Sequence, residues 1–250
     1  MTAVLRTEKL SRSWGALAAV REVSFALEAG ARHALIGPNG AGKTTLVNLL
    51  TGALSPSGGE VFLDGDRITR VPQHVRVRRG MARTFQITAL FPNLTVLETV
   101  LLAACEQGGL CWSWLSPVAR HAREIAEARR IVRELHLEDE MDVRTRILPY
   151  GKQRLLEIAV ALASRPRVLL LDEPAAGIPK SESAEIFEVL ARLPKDVAIL
   201  FIEHDMDLVF RFADRVTVLA AGSMLAEGTP AEIAANARVR EVYLGEAAHA

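Results

Sequence analysis

An eight-residue segment in the first fifth of the chain has the residue types and spacing that phosphate binding requires. Gly37-Pro-Asn-Gly-Ala-Gly-Lys43-Thr44 fits the pattern G-x-x-x-x-G-K-[ST]. Its glycines let backbone N–H groups turn towards phosphate oxygens, and the helix that follows adds partial positive charge. Lys43 can reach the outer phosphates, and the Thr44 hydroxyl can ligate magnesium. We expect Lys43 to belong to a solvent-facing loop when the site is empty. The predicted nucleotide contacts are Gly37, Asn39, Gly40, Ala41, Gly42, Lys43, Thr44 and Thr45.

Two adjacent acids follow an apolar run later in the chain. Val168–Leu171 reads as a buried strand, and Asp172-Glu173-Pro174 comes directly after it. The carboxyl ends of strands in an open α/β sheet line the ligand crevice. Asp172 at this position can hold the magnesium shell, and Glu173 can polarise the attacking water as a general base.

A second apolar run ends in the same way. Ile199–Ile202 precedes Glu203-His204-Asp205. A single histidine is more often structural than catalytic. Here it ends another strand of the same predicted sheet, and a contact between His204 and the γ-phosphate becomes the favoured interpretation.

The elements around these segments predict an α/β fold. Short β-type segments open the chain, and β and α segments alternate after residue 163, which is typical of a mostly parallel sheet covered by helices. Helical patterns occupy residues 88–163, including a helix from about Lys152 to Ala163. We therefore expect one domain over residues 1–250, with a helical subdomain inserted at 88–163. Thr229-Pro230-Ala231-Glu232 predicts a capped helix start.

Composition excludes several classes of protein. The chain has 250 residues, with 30 Lys and Arg against 30 Asp and Glu, so it lacks the basic excess of a protein that coats nucleic acid. No apolar run approaches the ~20 residues of a membrane span, and the first ten residues do not resemble a signal peptide. We expect a soluble protein whose Cys105 and Cys111 are reduced thiols.

Several motifs in a fixed order resemble the nucleotide-binding subunit of ABC transporters. After the phosphate loop come Gln86 in Arg-Thr-Phe-Gln, then Leu148-Pro-Tyr-Gly-Lys-Gln153, Leu171-Asp-Glu-Pro and His204. The resemblance spans almost the whole chain. It implies the P-loop NTPase fold of the ABC cassette: a mostly parallel sheet core, a small antiparallel β subdomain and a helical insertion. It also implies ATP hydrolysis with Mg²⁺.

The resemblance adds roles that spacing alone does not give. Gln86 looks like the glutamine that contacts magnesium and the attacking water. Trp14 lies where the family stacks an aromatic ring on adenine, although an ordinary core tryptophan is a fair rival. The signature segment is similar to the one that completes the ATP site of a second cassette, so dimerisation is implied. Its candidate residues are Tyr150, Gly151, Lys152 and Gln153.

The chain departs from the family pattern at two places. Pro149 stands where the signature usually has a serine, and Tyr150 replaces a glycine. Proline offers neither a hydroxyl nor an N–H, so we expect the contact to come from Gly151 N–H and the start of the next helix. The loop after Pro174 also lacks the acid that is common in the family.

Further stretches resemble the ATPases of branched-chain amino acid importers. They are Tyr-Gly-x-Gln-Arg with Leu-Glu-Ile-Ala, Glu-Pro-Ala-Ala-Gly, Ile-Glu-His-Asp-Met and the Tyr-Leu-Gly ending at Gly245. Amide and urea importers and the lipopolysaccharide-export ATPase share parts of the pattern. Importer membership implies membrane permease subunits, indirectly a solute-binding protein, and a location on the inner face of the cell membrane. The alternatives are an export ATPase and a soluble ABC ATPase acting on nucleic acid or ribosomes.

Overall fold

The structure, a computed structural model, describes residues 3–84, 90–107 and 121–247. The strands are β1 (Ala3–Trp14), β2 (Leu17–Val23), β3 (Ala26–Glu28), β4 (Arg32–Ile36), β5 (Gly58–Leu63), β6 (Asp66–Arg67), β7 (Met81–Arg83), β8 (Val168–Asp172), β9 (Ala198–Ile202), β10 (Arg215–Ala220) and β11 (Ser223–Gly228). The helices are α1 (Lys43–Thr51), α2 (Gln73–Arg78), α3 (Val96–Gln107), α4 (Ala122–Glu134), α5 (Tyr150–Ala163), α6 (Lys180–Arg192), α7 (Met206–Phe212), α8 (Pro230–Ala235) and α9 (Ala237–Ala247). A 3₁₀ turn spans Thr145–Ile147.

A six-stranded sheet in the order β11-β10-β4-β9-β8-β7 forms the centre of the fold. Its strands pair in parallel except β10 with β11. Every residue of β4, β8 and β9 is buried, as expected for strands covered on both faces. Asp172 pairs with Ile202, so the acids after β8 and the histidine after β9 leave the sheet side by side. The predicted α/β architecture with a mostly parallel sheet is confirmed.

A smaller antiparallel sheet packs beside the first. Its order is β2-β1-β5-β6, with β3 also pairing with β1. The hydrophobic face of this sheet shares a core with α1 through residues such as Leu5, Leu27, Val61 and Leu46. The predicted antiparallel subdomain is therefore present, and it supports the helix that follows the phosphate loop.

Helices α3, α4 and α5 pack against one another. Their contacts bury an apolar stripe on α4 that includes Ala128, Ile131 and Val132. The predicted helix ending at Ala163 is present as α5, and it begins at Tyr150, two residues before the expected start near Lys152. The reason is that Pro149 takes the N-cap position with extended dihedrals (φ −55°, ψ 153°), which proline adopts without strain.

A buried arginine anchors the end of α1. The Arg76 side chain is 1% exposed and donates hydrogen bonds to Leu49 O (3.0 Å) and Leu50 O (2.6 Å) at the carboxyl end of that helix. It also donates to Thr69 O and Val71 O. Burial lowers the pKa of Arg76 to about 10. The guanidinium thereby ties the helix behind the phosphate loop to the segment that leads to α2.

Two further expectations from the sequence concern the capped helix start at Thr229 and membrane-spanning segments. Thr229 caps α8 with a full capping box, in which Glu232 donates its backbone N–H to the threonine hydroxyl and accepts from Thr229 N–H. Within the described ranges, no helix has the length and apolar character to cross a membrane.

Candidate nucleotide site

The loop between β4 and α1 depends on glycine at two positions. Gly37 (φ +151°) and Gly42 (φ +99°) adopt conformations that side chains disfavour. A Cβ atom on Gly37 would overlap Leu219 O, and one on Gly42 would overlap Ala19 O. The backbone therefore folds tightly between neighbouring strands, and only glycine permits this path.

Lys43 is held inside the loop. Its side chain is 7% exposed, and Nζ donates to Gly37 O at 2.6 Å and Pro38 O at 2.9 Å. The loop faces solvent at Asn39 and Gly40, as expected, but the Lys43 side chain itself is buried. The lysine instead satisfies two loop carbonyls, and it places a positive charge at the centre of the loop.

The remaining loop residues differ in exposure. Asn39, Gly40 and Thr44 are exposed, Thr45 is half-buried, and Ala41 is buried with its N–H donating to Pro38 O. Thr44 lies in the first turn of α1, where its hydroxyl is open to an incoming ligand. All eight predicted residues thus lie on one continuous segment, which consists of the loop and the first turn of α1.

Asp172 is fixed at the end of β8 by an arginine. Its carboxylate is 3% exposed, and Oδ2 accepts from Arg83 Nη2 at 2.7 Å. Arg83 Nη1 donates to Asn48 Oδ1 on α1 at 2.6 Å. The other carboxylate oxygen, Oδ1, is buried and has no hydrogen-bond partner among the described residues. A buried anionic oxygen in this state fits an oxygen-seeking cation such as Mg²⁺.

Glu173 and His204 form a close pair across the two strand ends. Glu173 Oε1 lies 2.6 Å from His204 Nε2, with side chains 30% and 49% exposed. Glu173 has a left-handed backbone (φ +50°), which a glutamate rarely adopts outside sites where the surroundings enforce it. Its N–H donates to Ile202 O at 3.1 Å. The arrangement directs a carboxylate and an imidazole towards the same solvent-accessible point.

Glu203 immediately precedes His204, but its side chain is buried. It is 5% exposed, and Oε1 accepts from Ala175 N (2.9 Å) while Oε2 accepts from His204 N (3.2 Å). Burial raises the pKa of the Glu203 carboxyl, the two N–H groups oppose that shift, and the charge of Glu173 adds to it. The side chain joins the loop after Glu173 to the loop that carries His204.

The predicted signature residues lie at the start of α5. Tyr150 is the first helical residue, and its hydroxyl accepts from Arg154 Nη2 at 2.8 Å. Gly151 is buried, and a Cβ added there would lie 2.8 Å from Glu182 Oε2. Lys152 donates to His136 O, and Gln153 donates to Leu148 O. The free N–H groups of the first turn therefore lie beside Pro149 and Gly151.

Trp14, the predicted adenine contact, lies in the antiparallel sheet and not at the strand ends that carry the acids and the histidine. Trp14 ends β1 and is 44% exposed, with the Arg12 guanidinium 4.8 Å from its ring centroid. An exposed ring suits stacking on a planar ligand more than a place in the core. Gln86 lies outside the described residues, as does Cys111.

The structure also supplies residues that sequence reasoning missed. Arg83, Asn48 and Glu203 contact the predicted site residues or the loops that carry them. The available signals were positions next to a motif: Arg83 immediately precedes Thr-Phe-Gln86, and Glu203 immediately precedes His204. Their partners come from distant segments, so the sequence does not reveal the contacts.

Comparisons with known proteins identify the family. Residues 20–176 match the family described as ABC transporter, and residues 223–249 match the family described as branched-chain amino acid ATP-binding cassette transporter. The high-affinity branched-chain amino acid transport ATP-binding protein BraF of Pseudomonas aeruginosa is 40% identical over 98% of both chains. The corresponding protein LivG of Salmonella typhimurium is 41% identical over 98% of both chains. The lipopolysaccharide export system ATP-binding protein LptB of Acidithiobacillus ferridurans is 34% identical, again over 98% of both chains.

Solved structures agree with these matches. MJ1267, described as an ATP-binding cassette of an ABC transporter in its ADP conformation, superposes with a TM-score of 0.85 at 30% identity, covering 98% of this chain and 100% of that one. The phosphate loop, the paired acids and the histidine thus occupy a fold that is known to hold nucleotide. The chain belongs to the ABC transporter family, as one of its ATP-hydrolysing nucleotide-binding cassettes.

Proposed function

We propose that this chain powers the uptake of branched-chain or related amino acids through separate membrane subunits. The observation that carries the proposal is identity of 40–41% over nearly the full length of BraF and LivG, whose names state branched-chain amino acid transport. The match of residues 223–249 to the corresponding family points the same way. The export alternative is less supported, because LptB is 34% identical. The net charge of zero argues against the nucleic-acid alternative.

Nucleotide binding is assigned to the loop and its helix. Lys43 exchanges its contacts with Gly37 O and Pro38 O for phosphate oxygens, and the loop N–H groups and α1 dipole add to the attraction. Trp14 supports the adenine ring. The Lys43 ammonium group is therefore hydrogen-bonded both with and without nucleotide. Its positive charge is already inside the loop before the phosphates bind.

Magnesium is assigned to Asp172 and Thr44, with Gln86 as a third candidate. The buried, unpartnered Oδ1 of Asp172 and the open Thr44 hydroxyl are the oxygen ligands that this cation takes. When bound, Mg²⁺ neutralises and orients the phosphates. Arg83 holds the other oxygen of Asp172, so this carboxylate offers one oxygen in a fixed direction.

Proton handling is assigned to Glu173 and His204. Glu173 accepts the proton of the attacking water, and His204 fixes the carboxylate at 2.6 Å and contacts the γ-phosphate. Because both side chains are partly exposed, the site is open to solvent on that side. The start of α5 from a second cassette covers it in the proposed mechanism, with Tyr150, Gly151, Lys152 and Gln153 contributing to the neighbour's site.

The proposed transport function requires further subunits. Two cassettes, identical or related, close on ATP and separate after hydrolysis, and permease subunits convert the motion into transport. The cassettes then lie on the cytoplasmic face of the cell membrane, and a solute-binding protein delivers the amino acid on the other side.

Transport by the reconstituted system tests the proposal. The chain is purified with its copurifying membrane subunits, placed in liposomes, and supplied with the copurifying or genetically adjacent solute-binding protein. We expect ATP-dependent accumulation of leucine, isoleucine or valine, and no accumulation with Glu173→Gln. Accumulation of urea or short amides in their place, copurification with lipopolysaccharide-handling partners, or copurification with RNA would overturn the substrate assignment.

A further inference from the structure

Glu203 is a buried carboxylate, 5% exposed, that pairs with no lysine or arginine among the described residues. Removing a carboxylate from water is costly unless hydrogen bonds replace the lost hydration. The replacements here are two backbone N–H groups, those of Ala175 and His204. A fold that needed only to fill this space could do so with an apolar side chain.

The two N–H groups belong to the two loops of the catalytic pair. Ala175 lies two residues after Glu173, and His204 is itself the partner of Glu173. Each loop is bonded to a different oxygen of the same carboxylate, Oε1 for Ala175 and Oε2 for His204. The distance between the loops is therefore set by the width of one carboxylate group.

The backbone of Glu173 shows why such a tie is needed. Its φ of +50° is a conformation that persists only where surrounding contacts enforce it. Two backbone bonds frame this residue, Glu173 N–H to Ile202 O (3.1 Å) and Ala176 N–H to Glu173 O (3.0 Å). The Glu203 bond to Ala175 N–H fixes the residue between them, so the turn cannot relax without breaking it.

We propose that Glu203 is a positioning residue for hydrolysis, which holds the Glu173 and His204 loops in register so that their side chains meet at the reacting phosphate. The inference rests on the proposed roles of Glu173 and His204. The Glu203 carboxylate points into the protein and is bonded to two backbone N–H groups, so we assign it no direct contact with the reacting groups. It acts by fixing the backbone of Glu173 and His204, to which that contact is assigned.

Glu203→Gln is the direct test, because the amide keeps the shape but has one acceptor oxygen in place of two. One of the two N–H groups must then face an NH₂ group and lose its bond. We expect kcat for ATP hydrolysis to fall by about 10- to 100-fold, as misplacement of reacting groups produces. The KM for ATP and the affinity for ADP should stay within about twofold, since the phosphate loop is untouched.

Asp205→Asn is a matched control. Asp205 also accepts two backbone N–H groups, from Asp207 and Leu208, but both bond to the single oxygen Oδ1. An amide oxygen can take over both bonds, and asparagine is a good helix cap. The same chemical change two residues away should therefore leave kcat within about twofold.

A double-mutant cycle separates positioning from general loosening. If Glu203 acts through the Glu173–His204 pair, Glu203→Gln should slow single-turnover hydrolysis by a smaller factor in the His204→Ala background than in the wild type, because only the Glu173 loop is then left to misplace. Amide exchange should rise in the peptides containing Ala175 and His204 and stay constant in the phosphate loop. This exchange readout decides the question even where the variant is less stable.

Three results would overturn the proposal: wild-type kcat in Glu203→Gln, an equal loss with and without His204→Ala, or unchanged exchange at both loops. These are distinct from failure of the proposed transport function. That failure would appear as a wild-type chain that hydrolyses ATP but accumulates no branched-chain amino acid, and the Glu203 comparison could still be made on that chain.

Discussion

Glu173 and His204 meet at 2.6 Å across the ends of β8 and β9, although 31 residues separate them in the chain. The parallel register that pairs Asp172 with Ile202 brings them together. A carboxylate in a left-handed turn is thereby placed against an imidazole, and both side chains remain partly exposed to solvent. The pair is the part of the site best suited to move a proton.

Glu173→Gln should retain ATP while hydrolysis slows by about 10²- to 10⁴-fold, which is the usual reach of general-base catalysis. The amide keeps the shape of the side chain but cannot accept the proton of the attacking water. ATP-bound dimer should therefore accumulate. Gel filtration with and without MgATP, beside single-turnover hydrolysis, measures both effects.

The same variant also has an outcome that reassigns the role. Turnover near the wild-type rate would show that Glu173 is not the base, and His204 would become the first candidate because its Nε2 is the nearest titratable atom. Loss of ATP binding would instead indicate a collapsed turn, which circular dichroism and the affinity for ADP would detect.

Lys43→Ala should abolish tight binding of MgATP, since a charge-assisted phosphate contact contributes roughly 1.5–3 kcal/mol or more in a closed site. The loop also loses the bonds to Gly37 O and Pro38 O, so the melting temperature should fall slightly. Lys195→Ala, at an exposed position, removes the same charge away from the loop. Calorimetric titration of both variants checks the assignment, and unchanged affinity in Lys43→Ala would rule it out.

Much of this fold is readable from local patterns. β8 and β9 are continuous apolar runs because both of their faces are covered. The glycine-rich segment matches the pattern of a phosphate-binding loop. The capping box at Thr229 follows from four consecutive residues. Such features depend on neighbours in the chain, so a sequence is sufficient to predict them.

The hydrogen bonds that hold the site residues in place join distant segments of the chain, so local patterns do not predict them. Arg83 bonds Asn48 and Asp172, which lie 35 and 89 residues away. Nothing in an arginine before Thr-Phe-Gln indicates which carboxylate it will meet. The burial of Lys43 was likewise missed, because the loop carbonyls that attract it become available only in the folded turn. Long-range pairing of polar groups needs coordinates.

Arg83→Gln should destabilise the protein strongly. It leaves Asp172 buried with neither carboxylate oxygen paired, and loss of one partner of a buried ion pair costs about 3–5 kcal/mol. Arg215→Gln is the control, because its pair with Glu227 is 46% exposed on the arginine side and contributes under about 1 kcal/mol. Urea unfolding of both variants gives the comparison. Equal stabilities would show that the Asp172 carboxylate finds another partner.

His33 should give the protein an acid-sensitive stability. Burial lowers the pKa of His33 to about 4, with Glu227 and Asp214 opposing the shift and Arg215 adding to it. The unfolded state therefore binds more protons between pH 6.5 and 4, and stability is complete above that range and lost as pH falls through it. Between pH 7 and 5 this one group should remove about 2 kcal/mol.

The measurement is urea unfolding at pH 7 and pH 5 of the wild type and of His33→Gln, which cannot titrate. The variant should lose less free energy of unfolding between the two pH values by that amount. It should also be less stable at pH 7, because the bond to Thr217 Oγ1 and the edge contact with Phe25 are disturbed. An identical pH dependence in both proteins would show that His33 does not titrate differently on folding.

The start of α5 invites a comparison of two substitutions. Pro149 supplies no hydroxyl, yet the N–H groups of the first helical turn and the helix dipole already place positive charge at this end. A serine at position 149 would add a donor and also loosen the approach to the helix. We expect Pro149→Ser to change ATP hydrolysis by less than about threefold, under ~1 kcal/mol in the barrier.

Gly151→Asp should be far more damaging, and the structure gives two reasons that can be separated. An aspartate puts negative charge where the neighbour's γ-phosphate is expected, and its Cβ would also lie 2.8 Å from Glu182 Oε2. Gly151→Ala displaces Glu182 equally but adds no charge, so it should retain most activity. In a Glu182→Ala background, Gly151→Asp should still be inactive if the added carboxylate acts by repelling the neighbour's γ-phosphate. Steady-state hydrolysis with the membrane partners present decides the matter. A large gain from Pro149→Ser, or recovery of Gly151→Asp when Glu182 is removed, would show that this helix end does not complete the neighbour's ATP site.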